Sequence, residues 1–176
     1  MVETLLIAIV LVVLVVYLFL HDLRATLIPS LAIVVSLIGT FAFLYVVGFS
    51  LNLLTLFALV LVIGTVVDDS IVVVEAVQAK FDEGYVSAYR ATEDAMGGLT
   101  SALMTTTIVF MAVFIPVSFM GGTTGTFYTQ FGLTMAVAVA ISLLNAMTLS
   151  PALCALILRP RADAASGEMP GFSDRF

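Results

Sequence analysis

Charge is what this 176-residue sequence has least of: charged residues make up 10% of it, against about 25% in an average soluble domain. Six Lys and Arg face twelve Asp and Glu, a net charge of −6, so the basic surface that a polyanion requires is missing and a nucleic-acid binder is excluded. The one cysteine, Cys154, sits inside an apolar stretch, which excludes a disulfide framework and a CxxC metal site. A basic leader is lacking too. The first apolar run carries Glu3 and no small-residue cleavage site follows it, so it reads as a membrane span and not as a signal peptide. What the sequence has instead is apolar surface: 62% of residues are hydrophobic and the mean hydropathy is +1.23. A soluble enzyme domain of this size could not bury that much, and a disordered tail would not contain it.

Spanning a bilayer takes about 20 predominantly apolar residues. Five stretches qualify: Val2–Leu20, Leu27–Val47, Leu51–Val77, Leu99–Phe119 and Phe131–Leu158. They far exceed strand length and show no period-2 alternation, so the expected fold is all-α, a bundle of five transmembrane helices over residues 1–159. Between the spans lie HDLRAT, GFS, a polar segment from Gln78 to Gly98, and MGGTTGTFYTQ. In the polar segment Tyr85, Ala88, Tyr89, Thr92 and Met96 fall near one helical face. A short helix lying along the cytoplasmic surface is expected there, with a plain connecting loop as the equal alternative. Residues 160–176, rich in Pro, Gly, Ser and mixed charge, read as a cytoplasmic linker or interfacial tail.

All six cations, Arg24, Lys80, Arg90, Arg159, Arg161 and Arg175, fall on one face if five spans alternate. The opposite connections carry no charge. The positive-inside rule then places the N-terminus outside and the C-terminus inside. An odd span count and an abrupt apolar start at Val2 point to a piece of a larger protein.

Only Asp68, Asp69 and Glu75 lie well inside a span. Glu75 is near enough to the cytoplasmic end to reach interfacial water. Asp68 lies roughly 25 Å along a helix that must cross about 30 Å of hydrocarbon. A carboxylate at the helix centre costs at least ~2.5–3.5 kcal/mol. Desolvation and mutual repulsion both disfavour ionisation, so one of the pair is expected to hold a proton near neutral pH. Such an acid can load a proton from one side and release it to the other, which makes the proton the expected coupling ion. The competing reading is a static ion pair or a neutral acid bonded to backbone. No Lys, Arg or His lies inside a span, so the acids are either protonated or partnered from elsewhere. Gly64, Ala58, Thr65 and Ser70 are small enough to admit a neighbouring helix. Ser101, Thr105, Thr106, Thr107 and the amide of Asn145 are further candidates for hydrogen bonding to the pair. His21, at a span end, reads as interfacial. No catalytic, cofactor-binding or metal-ligating residue is assigned.

FSLNLLTLFALVLVIGTVVDDSIVVVE closely resembles the fourth transmembrane helix of the resistance–nodulation–division efflux pumps of the hydrophobe/amphiphile (acriflavine-resistance) type. YLFLHDLRATLIPSLAIVVSLIGTFAFLYVVGFS is similar to that family's second and third helices; FIPVSFMGGTTGTFYTQFGLTM and LSPALCALILRP are similar to its fifth and sixth. The Asp-Asp pair favours the drug-exporting branch over the heavy-metal branch. The resemblance implies a proton-driven drug antiporter of the bacterial inner membrane, not an enzyme, with Asp68 and Asp69 matching the proton-carrying aspartates. It further implies a trimer acting with a periplasmic adaptor and an outer-membrane channel. A second half of the pump, absent here, would supply the intramembrane lysine and arginine that face the acids. The alternatives are a sterol-sensing-like five-span membrane module and an inactive truncated product.

Overall fold

The computed structural model describes residues 2–122 and 124–159; the expected tail, 160–176, lies outside the described residues. Six helices follow in order: α1 Val2–Leu20, α2 Leu23–Val47, α3 Leu53–Asp82, α4 Ala88–Val117, α5 Gly125–Met147 and α6 Leu149–Ile157. The all-α expectation holds. Among the described residues, five helical segments are long and apolar enough to cross a membrane, the fifth being α5 and α6 together over Gly125–Ile157.

Local chemistry, and not hydropathy alone, sets where α2 and α3 start: four residues earlier than the expected span for α2 and two residues later for α3. Asp22 is extended (φ −135°) and its carboxylate accepts from the Arg24 N–H at 2.9 Å, the arrangement of a good N-cap. α2 therefore begins at Leu23, and HDLRAT shrinks to a joint at His21 and Asp22, with His21 left-handed at φ 48°. Gly48, at φ 73°, closes α2 by returning its N–H to the Leu44 and Tyr45 carbonyls, a conformation that glycine adopts without a Cβ penalty. Asn52 and Thr55 then open α3 with a reciprocal capping box, both bonds 2.8 Å long.

The short surface helix expected within Gln78–Gly98 is not a separate element. Ala88 onward is the first third of α4, a single helix of 30 residues. Gly97 and Gly98 each weaken a helix by about 1 kcal/mol relative to Ala, yet no proline interrupts the run before Pro116. Packing decides the outcome. Ala91 and Ala95 join Val73, Val74, Val77 and Phe81 of α3 in one buried cluster, which holds the polar end of α4 against α3. The chain reverses between Glu83 and Ser87, with Gly84 at φ 103°.

A polar clip closes that hairpin. Lys80 Nζ lies 2.8 Å from both Glu83 Oε2 and Asp94 Oδ2 and 5.8 Å from the Tyr85 ring centre. Tyr85 donates its O–H to Asp94 Oδ2 at 3.2 Å. That bond to the Asp94 carboxylate, together with the carboxylate's charge, raises the pH at which the phenol ionises above its ordinary value. The stabilisation tied to this proton is present below the unfolded phenol's pKa and is lost as pH rises through the folded one. Asp94→Asn is expected to bring the Tyr85 titration back down, measured by ultraviolet difference titration against Tyr85→Phe; an unmoved phenol would show the contact to be idle.

The interior divides along the bundle axis. One apolar cluster gathers Val16, Ile33, Leu37, Leu59, Val62, Val66 and Met135; the other gathers Ala25, Ile28, Val77, Phe81, Ala91, Cys154 and Leu158. Ala25, Phe81, Ala91 and Leu158 are chain neighbours of Arg24, Lys80, Arg90 and Arg159, so the second cluster marks a cation-bearing end. Between the clusters α3 carries Asp68, Asp69 and Ser70, and α5 carries Ser142 and Asn145.

Two further features set helix positions. Pro151 has no N–H for the Met147 carbonyl and its ring crowds that carbonyl, and the chain breaks there, with Thr148 at φ −122°, ψ −63° between α5 and α6. At Gly132 the backbone of α5 lies close against the end of α4. A Cβ there would stand 2.8 Å from the Phe114 carbonyl oxygen and 2.9 Å from the Ser118 nitrogen.

Candidate functional site

The α3 helix carries Asp68 and Asp69 one turn beyond Gly64 and Thr65, and their adjacency sends the two side chains to different surroundings. Asp69 turns toward α5 and is half-buried; its Oδ2 accepts from the Ser142 hydroxyl at 2.6 Å. Asp68 is exposed on the bundle surface. Among the described residues it has no hydrogen-bond or ion-pair partner, and the ion pairs found there all involve Lys80 at the cation-bearing end.

Two hollows meet at Asp68. One, of about 260 Å³, lies between α3 and α4; both aspartates line it with Thr65, Thr106, Thr107 and Phe110. The other, of about 500 Å³, lies between α1 and α3; Asp68, Gly64 and Glu75 line it against Leu11, Val15 and Phe19. Asp68 therefore stands on the ridge between a hydroxyl-lined recess and an apolar groove. Asp69 is tied into the bundle behind it.

The remaining sequence candidates are distributed less evenly. Thr105 is exposed and bonds its own helix at the Ser101 carbonyl, 2.7 Å away; its neighbours Thr106 and Thr107 line the carboxylate recess instead. Asn145 is buried and donates to the Ser36 hydroxyl at 2.7 Å, joining α5 to α2 and not to the acids. Gly64 does not receive a packed helix among the described residues: a Cβ there meets no heavy atom within 4 Å. His21 bonds locally to the Phe19 carbonyl, at 3.2 Å. Ser142 is the neighbour of the acids that sequence reasoning missed. Its one signal was position, three residues before Asn145 and so on the same side of α5.

Chemically, the site can hold and exchange protons. An ionised Asp69 only accepts, as it does from Ser142; a protonated one also donates, and the serine hydroxyl can rotate to answer either state. The recess supplies threonine hydroxyls beside the acids. Among the described residues no group of three or more His, Cys, Asp or Glu is placed to hold a metal ion.

Across the full sequence, residues 1–176 match the AcrB/AcrD/AcrF family. The chain belongs to that family. The multidrug export protein AcrF of Escherichia coli strain K12 is 51% identical over 159 residues, covering 90% of this chain and 15% of AcrF. The multidrug resistance protein MdtF of the same strain is 48% identical over 157 residues, 89% of this chain and 15% of MdtF. The toluene efflux pump membrane transporter TtgE of Pseudomonas putida is 46% identical over 171 residues, 97% of this chain and 16% of TtgE. This AcrB/AcrD/AcrF-family chain thus spans about one-sixth of the length of the relatives it matches. The resemblance read from the third span is borne out at the level of family, and the names of AcrF and TtgE describe export and efflux.

Proposed function

We propose that the chain is a membrane-embedded fragment of a proton-driven efflux transporter and carries one half of its proton-relay site, Asp68 and Asp69. The observation that carries this reading is the pair itself: two adjacent carboxyls in an apolar helix, one held by Ser142, the other open to two hollows, and no cation within reach among the described residues. A structural ion pair would need its counter-charge beside it. A proton carrier needs access, a hydroxyl neighbour and a partner that can come and go.

The relay follows from charge. When both acids are ionised the pair draws a cationic side chain from a facing helix of the second half; protonation removes that attraction and lets the helices separate. Export couples to this cycle if the helices move the drug-binding regions with them. The substrates proposed are drugs and solvents, after the multidrug resistance named for MdtF and the toluene efflux named for TtgE. The cation-bearing end faces the cytoplasm of a bacterial inner membrane, which puts the N-terminus in the periplasm. The complete transporter works as a trimer with a periplasmic adaptor and an outer-membrane channel.

The test is coupling. In proteoliposomes of the complete transporter, an imposed pH gradient is expected to drive export and collapsing it to stop export. Export indifferent to the gradient would sink the reading. The apolar α1–α3 groove favours a lipid-sensing alternative; sterol crosslinking into that groove, with no effect of neutralising the aspartates, is the result that would select it.

A further inference from the structure

Asn52 does more at the start of α3 than a cap requires. Its Oδ1 accepts from the Thr55 N–H at 2.8 Å while the Thr55 hydroxyl accepts from the Asn52 N–H at 2.8 Å. Ser, Thr or Asp would cap as well. Asparagine adds a donor, and the capping bonds fix where that donor points. Nδ2 crosses to α5 and meets Gln130 Oε1 at 2.6 Å. The side chains are part-buried, so the bond is sheltered from competing water.

α3 and α5 run in the same direction and are bonded again further down, where Ser142 reaches Asp69 at 2.6 Å. Asp69 lies roughly 25 Å along α3 from Asn52, and Ser142 roughly 18 Å along α5 from Gln130. Between the two ties the interface is apolar, with Ala58, Leu59, Val62 and Val66 against Met135 and Ala138. Such surfaces attract without a fixed direction and tolerate sliding. Hydrogen bonds do not: for a 2.6 Å contact lying across the axes, an axial slip of about 3 Å, two residues' rise, opens the distance to about 4 Å, beyond bonding range.

We propose that the Asn52–Gln130 bond is a register tie: it fixes the axial position of α5 against α3 and so keeps Ser142 opposite Asp69. Asn52 and Gln130 are then positioning residues for the carboxylate pair. Their effect on transport rests on the proton-relay reading; their effect on helix register does not.

The experiment uses the complete transporter carrying Cys154→Ala, with spin labels at Leu53→Cys and Leu144→Cys. Both leucines are exposed, and they are separated mainly along the axis, so a slip changes their distance almost directly. Gln130→Met removes the acceptor at similar size; Asn52→Ser keeps the cap and removes Nδ2. Each is expected to shift the distance by about 3 Å and to move the pH profile of export as Ser142→Ala does. Gln130→Met combined with Ser142→Ala should move that profile no further than Ser142→Ala alone. Gln130→Glu, which keeps the acceptor, and Asn52→Asp, to which Gln130 can turn its own amide donor, are expected to retain the wild-type distance. An unchanged distance in Gln130→Met and Asn52→Ser overturns the tie, as does an equal shift in the two conservative variants. Export that survives Asp69→Asn would instead end the relay reading and leave the distance result standing.

Discussion

Asp69→Asn in the complete transporter is expected to reduce export to background while leaving membrane insertion and assembly intact. The two side chains have nearly the same shape, and the asparagine oxygen can still accept the Ser142 hydroxyl, now 2.6 Å from Asp69 Oδ2. The fold loses little. What disappears is the ability to take up and release a proton, and with it the change of charge on which coupling depends. Asp68→Asn is expected to be as severe, because that carboxyl is the one exposed to both hollows. The effect is expected to exceed about 100-fold in gradient-driven export, more than about 2.7 kcal/mol at roughly 1.4 kcal/mol per decade. Thr105→Val is the control: its hydroxyl bonds only its own helix, and export should stay within about twofold of wild type. Wild-type resistance in both asparagine variants, at equal protein levels, would remove the aspartates from the mechanism.

Gly132→Val is expected to have the largest effect on folding. The obstacle is backbone: the added Cβ would stand 2.8 Å from the Phe114 carbonyl oxygen and 2.9 Å from the Ser118 nitrogen. A flexible side chain could swing aside, but two helix backbones must be pushed apart. Overpacking a core commonly costs about 1–3 kcal/mol, and a β-branched residue against main chain belongs at or above the top of that range. Loss of detergent-stable protein, followed by fluorescence-detected gel filtration and thermal melting, is the expected readout. Gly64→Ala is the matched control, since the added methyl meets nothing within 4 Å in this chain. A Gly132→Val protein that melts like wild type would show that α4 and α5 do not approach as described.

Hydropathy alone located the five crossings, because runs of Leu, Val and Ile of about 18 residues or more have few stable settings other than a membrane. It misplaced their ends, since capping by Asp22 and Asn52 is a matter of single side chains, and it misread the polar start of α4. That segment looks solvated in sequence, and only its packing on Val77 and Phe81 reveals otherwise. Asp68 and Asp69 were legible because charge within an apolar run is costly and therefore conspicuous. Ser142 was not, because serine is unremarked in a span and its bond joins residues 73 apart in the chain. Gly64 and Gly132 are alike as letters; the neighbouring helix distinguishes them, and which helix that is cannot be read from periodicity.

The acids on α3 also bear on how the helix enters the bilayer during synthesis. Near the helix centre a Leu, Ile, Val or Phe contributes about −0.3 to −0.6 kcal/mol to insertion, and an Asp opposes it by about 2.5–3.5 kcal/mol. The sixteen such apolar residues between Leu53 and Val77 are thus closely matched by two ionised aspartates, with Glu75 nearer the end opposing insertion further, and α3 alone sits near the threshold for leaving the translocon. The five-residue reversal from Glu83 to Ser87 and the Lys80 clip make α3 and α4 one hairpin. Biogenesis then favours lateral release of the two helices together, with the acidic ridge shielded by its neighbour before the rest of the bundle arrives.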